Sequence, residues 1–114
     1  MFLYNKLVVY QKAFTLNKRI YKLVKKSAIP AYIKDQLGRS TLSIMLNIAE
    51  GNGKTGQRDK RNFLVIARAS AFETGALIDL LASEKDIAAE EANLLLKEIE
   101  DISKMLYAII KSLE

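Results

Sequence analysis

The 114 residues contain neither cysteine nor histidine. Both absences narrow the chemistry at once, because disulfides, thiol nucleophiles, imidazole bases and the usual zinc ligands all depend on those two residues. A metal centre, a cofactor and triad-type hydrolysis are therefore not expected, and the protein reads as a non-enzyme. Proline occurs once and glycine five times, so little interrupts a helix. No uninterrupted apolar run approaches the roughly 20 residues of a membrane span. The opening Met1 to Lys6 begins apolar, without a charged leader, which gives a cytoplasmic protein without membrane association as the expectation. A chain of this length buries about two-thirds of its unfolded surface in one ordinary core, so residues 1–114 are read as a single domain.

Acidic side chains are missing from the first 34 residues, which carry Lys6, Lys12, Lys18, Arg19, Lys22, Lys25, Lys26 and Lys34. The balance reverses between Glu84 and Asp101, where Glu84, Asp86, Glu90, Glu91, Glu98, Glu100 and Asp101 face only Lys85 and Lys97. A net charge of +5 says less than this placement. Like charges on one face attract polyanions, and basic and acidic faces on different copies can steer self-association.

Apolar periodicity predicts four helices. The first, about Val9 to Lys26, is expected to bury Tyr10, Ala13, Phe14, Asn17, Ile20, Tyr21 and Val24, and to end at Ser27 to Pro30. The second runs from about Ala31 to Glu50, with Gly51, Asn52 and Gly53 as stop signals, and the third from about Gln57 to Ser83. In the fourth, about Ala88 to Leu113, Ala92, Leu95, Ile99, Ile102, Leu106, Ile109 and Leu113 alternate at three and four residues, a packed seam. Helices of this length with short connections give an all-α, up-down-up-down antiparallel four-helix bundle. The turn Gly51-Asn52-Gly53-Lys54-Thr55-Gly56 follows a helix and lacks the ending of a phosphate loop.

Helix two is apolar on two sides. Ile33, Leu37, Ile44 and Ile48 form one stripe, and Leu42, Met45, Leu46 and Ala49 a second that a lone bundle does not need. Between them runs a polar line, Asp35, Arg39, Ser43, Asn47 and Glu50. This line is either a shared network or a partly solvated edge with Arg39 paired to Asp35. The second apolar stripe favours burial against another subunit. Ser70 and Glu73 on helix three sit beside apolar positions, so the Glu73 carboxylate is expected near the interior with Arg39 as its partner. Glu50 opposes the helix macrodipole and is expected to have a specific polar partner.

Residues Gln36 to Gly51, with Asn47-Ile48-Ala49-Glu50-Gly51 as the most specific part, and Phe63 to Glu73 resemble the four-helix-bundle proteins encoded in intervening sequences of bacterial 23S ribosomal RNA genes. The likeness extends from Val9-Tyr10-Gln11-Lys12-Ala13 to Lys104-Met105-Leu106. Two departures stand out. Gly38 replaces a second basic residue beside Arg39, and Met45 replaces a proline, which leaves helix two straighter. The resemblance implies a bacterial bundle that assembles as a homopentameric ring, with nucleic-acid association as the expected activity. A group of similar shape, the accessory proteins of diversity-generating retroelements, associates with a reverse transcriptase and its RNA.

The leading functional expectation is a non-catalytic oligomer that meets RNA or DNA phosphates through Lys12, Lys18, Arg19, Lys22, Lys25 and Lys26 of helix one. Lys54, Arg58, Lys60, Arg61 and Arg68, around the start of helix three, complete the basic face. Arg39, Ser43, Asn47, Glu50, Ser70 and Glu73 form the structural or interface polar network. The alternative is a ring-shaped adaptor for a protein partner such as a reverse transcriptase. Catalysis would have to rest on Asn47, Glu50, Ser70 and Glu73 and is the weakest reading. No recognition-helix motif is present, and the aromatic residues are expected at core-compatible positions rather than among exposed bases.

Overall fold

The computed structural model describes Tyr4, residues 7–26 and residues 28–114. The opening residues Met1 to Leu3 and Asn5, Lys6 of the basic block, and Ser27 of the expected first stop lie outside the described residues. Four helices follow in order: α1 (Val8–Leu23), α2 (Ala31–Asn52), α3 (Gln57–Ser83) and α4 (Ala89–Ser112). They form a bundle with extents of 43 × 25 × 22 Å, the long dimension matching the 27 residues of α3 at about 1.5 Å per residue.

Cross-helix pairings establish the antiparallel order. Ser40 pairs with Thr74 and Ser43 with Ser70, so α2 and α3 run oppositely. Arg19 meets Glu98 and Lys26 meets Glu91, so the segment from α1 runs against α4. Around the bundle, α1 packs on α2 and α4, and α3 packs on the same two helices; α1 and α3 are diagonal, with no close backbone approach among the described residues.

The seam expected for α4 is present. Ala92, Leu95, Ile99, Ile102 and Leu106 are buried, while Ile109 and Leu113 pack on the core's rim. Ile33, Leu37, Ile44 and Ile48 of α2 are buried as expected. On α1 the buried face is Val9, Ala13, Leu16, Ile20 and Leu23, a rotation away from the expected one that leaves Phe14 and Tyr21 exposed at 47% and 65%. Both stripes share Ala13 and Ile20; the one at regular four-three spacing carries the aliphatic side chains that interdigitate best. The helix ends at Leu23, and the amides of Lys25 and Lys26 bond the carbonyls of Lys22 and Leu23 in a closing turn.

At the end of α2, Gly51 is not a stop signal. The helix runs through it to Asn52, and a Cβ built there would lie 3.0 Å from Phe63 Cβ and 3.3 Å from the Lys60 carbonyl oxygen. Glycine is needed because the backbone of α2 approaches α3 this closely. The α3–α4 turn is closed differently, by Lys85 at φ 62 in a position more often taken by glycine. The Asp86 amide bonds Leu81 O and the Lys85 amide bonds Ala82 O, satisfying carbonyls that the ending helix would leave open.

Candidate nucleic-acid interface

The middle of the polar line of α2, Ser43 and Asn47, belongs to a seam with α3. Ser43 Oγ and Ser70 Oγ are 2.7 Å apart, and Asn47 Nδ2 donates to Ser43 O at 2.8 Å and to Ser43 Oγ at 3.0 Å. One turn away, Thr74 Oγ1 lies 2.9 Å from Ser40 Oγ and 2.8 Å from Ser70 O, its single hydroxyl proton serving one of the two. Small hydroxyl side chains let α2 and α3 approach closely while their buried polar atoms find partners within the chain. Ser43, Asn47 and Ser70 of the expected network are thus brought together.

Three other members are not. Arg39 Nε pairs with Asp35 at 3.0 Å on the exposed surface, and Glu73, instead of approaching the interior to meet Arg39, is exposed and accepts from Gln36 Nε2 at 2.6 Å. The α3 face next to α2 is occupied by Ser70 and Thr74, which places Glu73 outward. Glu50 has no side-chain hydrogen bond or ion pair among the described residues, contrary to expectation. Its carboxylate is exposed, where water offsets the small unfavourable interaction with the helix end. Asn47, Glu50, Ser70 and Glu73 therefore do not form a common cleft.

The eleven basic positions divide by location. Arg19 Nε lies 2.7 Å from the buried Oε1 of Glu98, an ion contact without hydrogen-bond alignment, and Lys26 Nζ lies 3.4 Å from Glu91. Asp101's carboxyl is held below the usual carboxylate range first by its hydrogen bond from Lys97, with Lys12 and Lys104 adding smaller attractions. The favourable pairing is present above the ordinary Asp range and fades as pH falls through that lowered value. Along the α1–α4 groove, opposite charges of the two ends thus meet within one chain. The other side of α1 differs. Lys18 and Lys22 line a groove with Phe14, Tyr21 and Met45, and Lys25 Nζ sits 4.4 Å from the Tyr21 ring centre.

Helix one and the start of α3 do not make one continuous basic face, because α1 and α3 are diagonal. Lys54 Nζ lies 5.1 Å from the Phe63 ring centre. Arg68 donates Nε–H to Ser103 O at 3.3 Å and places its guanidinium carbon 4.9 Å from the Phe72 ring centre and 5.1 Å from that of Tyr107. Lys111 Nζ approaches the same Tyr107 ring at 5.6 Å. Sequence reasoning included Arg68 but missed Phe72, Tyr107 and Lys111. The signal was available only in part, as an aromatic residue four positions after an arginine on one helix; the other helix's contribution needed the packing.

The aromatic residues depart from the core-compatible expectation. Phe14, Tyr21, Tyr32, Phe72 and Tyr107 are all exposed. The second stripe of α2 also remains uncovered, with Leu42 at 48% and Leu46 at 56% exposure, while Met45 and Ala49 are half-buried. No helix among the described residues is long and apolar enough to cross a membrane.

A protein-family model described as the 23S rRNA-intervening sequence protein matches residues 5–108. Among solved structures, the chain is similar to a protein of unknown function from the S23 ribosomal protein family of Bacteroides thetaiotaomicron. The two share 30% identity over 91% of this chain and 99% of that one, with a TM-score of 0.87. No curated protein matches the chain.

Proposed function

From a chain that belongs to the 23S rRNA-intervening sequence protein family, we propose a non-catalytic, self-associating helical bundle that holds RNA or DNA on its basic surfaces. One observation carries the reading. Of the eleven basic positions, only Arg19 and Lys26 have a carboxylate partner among the described residues, which leaves nine cations whose charge is not met by an ion pair. Six belong to two groups: Lys18, Lys22 and Lys25 at α1, and Arg58, Lys60 and Arg61 in the first turns of α3. Phosphates are the ligands that such groups neutralise most readily, because each contact releases condensed counterions.

The uncovered apolar stripe of α2 supports the self-associating part of the reading. Leu42 and Leu46 on the outer stripe of α2 gain by being covered, and copies brought together sum their charge. A homopentamer, with each chain at +5, would carry 5 × 5, or about +25, a field that draws in a polyanion and is strongly screened by salt. Backbone contact without sequence reading is the expected mode, since phosphate contacts position a nucleic acid and base-edge contacts specify it.

The test is a titration of the purified protein with an RNA and a duplex DNA across a salt series. Binding is expected to weaken linearly in log affinity against log salt, with a slope of roughly −0.7 to −0.9 for each phosphate neutralised. An oligomer that ignores both nucleic acids at low salt contradicts the proposal and favours a ring that serves as an adaptor for a protein partner.

A further inference from the structure

We infer that the α3–α4 face carries a stacking site for unpaired nucleic-acid bases, built by Phe72 and Tyr107 around Arg68; this rests on the nucleic-acid reading above and names the strand form and the place. Phe72 and Tyr107 come from adjoining antiparallel helices and expose 61% and 49% of their surface. Each belongs to a type normally used to fill a core, yet both rings stand outside it. Arg68 is tied to the backbone of α4 through Ser103 O and lies close to both ring centres, while Lys111 approaches Tyr107 as a second cation.

The chemistry of this cluster selects its ligand. An exposed ring face stacks on any base, and an arginine plane can extend the platform. Arg68, which is in no ion pair among the described residues, meets the negative charge that accompanies a base in a strand, while Lys111 is already shared with Glu114 at 3.5 Å and adds less. Arg61 stands seven residues before Arg68 on α3, two turns or about 10 Å along the axis, and continues the positive edge. A duplex keeps its bases stacked on one another, so it can use the cations but not the rings; a single strand can use both. A second copy of the chain is the poorer occupant, because covering the rings with protein would desolvate Arg68, which has no carboxylate among its described partners.

The experiment compares a single-stranded RNA of roughly twelve nucleotides, carrying one 2-aminopurine, with a duplex of equal total charge. Wild-type protein, Tyr107→Ala, Phe72→Ala, Tyr107→Phe and Arg68→Gln are tested across a salt series, with solution mass and thermal unfolding recorded for each. The single strand is expected to bind more tightly than the duplex and to quench the 2-aminopurine. Tyr107→Ala and Phe72→Ala should each weaken single-strand binding by about 5- to 150-fold with the salt slope unchanged. Tyr107→Phe should bind like wild type, and Arg68→Gln should flatten the slope by about one. The site is overturned if wild-type protein binds and both alanine variants bind equally well, a result that leaves the nucleic-acid reading standing. It is overturned together with that reading if wild-type protein binds neither nucleic acid. A fall in mass for Tyr107→Ala with unchanged single-strand affinity overturns it in favour of a contact between copies.

Discussion

Replacing Ile44 by alanine is expected to lower the stability of the bundle by about 2–5 kcal/mol, while replacing Leu46 on the same helix changes it by no more than about 0.5 kcal/mol in dilute solution. Only Met45 separates them in sequence, but they face opposite environments. Ile44 is fully buried among the core side chains and Leu46 is more than half exposed, so only the first substitution leaves a cavity. Leu46 should matter when copies meet. Wild-type unfolding is expected to shift upward with protein concentration, as it must when association favours the folded form, and Leu42→Glu with Leu46→Glu should remove that dependence. Denaturant unfolding at two protein concentrations reads both effects. Equal losses for the two alanine variants in dilute solution would place Leu46 in the core and remove the basis for a second, association-competent stripe.

The joint replacement of Lys18, Lys22 and Lys25 by glutamine is expected to reduce the steepness of the salt dependence by about 2 to 3 and to weaken nucleic-acid binding by about a hundredfold near physiological salt. All three side chains are exposed and none is in an ion pair among the described residues, so the fold should remain intact. Lys25 loses only its surface contact with Tyr21, which is worth about 0.5–1 kcal/mol. A paired control sharpens the test. Arg19 and Lys26 already face Glu98 and Glu91, and their replacement by glutamine should change the slope less than the loss of any two of the three lysines. Binding curves at four or five salt concentrations measure these slopes directly. Equal effects from paired and unpaired cations would mean that net charge alone, not these placed lysines, governs association.

The bundle was legible in the sequence where a single pattern acted alone. In α4 the alternation from Ala92 to Leu106 identifies both the helix and its buried face, and in α2 the separation of Ile44 from Leu46 reveals two stripes before any packing is known. On α1 two apolar stripes overlap, and Phe14 and Tyr21 drew the expected core towards the wrong one. Bulk does not decide burial there; the regular spacing of Val9, Ala13, Leu16, Ile20 and Leu23 does. Gly51 shows a related limit. A glycine near a helix end reads as a stop, whereas its actual role depends on Phe63 and Lys60 of the neighbouring helix.

The candidate site was less legible because it depends on which helices are neighbours. Nothing in the charge pattern says that α1 and α3 occupy diagonal corners, so their lysines and arginines read as one face and fold into two. Nor does it say that Glu98 and Glu91 of α4 will take up Arg19 and Lys26. The expected Arg39–Glu73 pair failed for a local reason: Asp35 lies one turn from Arg39 on its own helix, and Gln36 meets Glu73 across the α2–α3 seam. The Arg68 cluster joins side chains from α3 and α4, and only the antiparallel register of those helices brings Tyr107 beside Arg68.

The most direct measurement of the central claim is the mass of the protein in solution by light scattering, at low salt, alone and with a short RNA. The account predicts a multiple of the single-chain mass that rises further when RNA is added and returns to the protein-only value at high salt. A single-chain mass that RNA does not change would contradict both the association of copies through α2 and the binding of a polyanion.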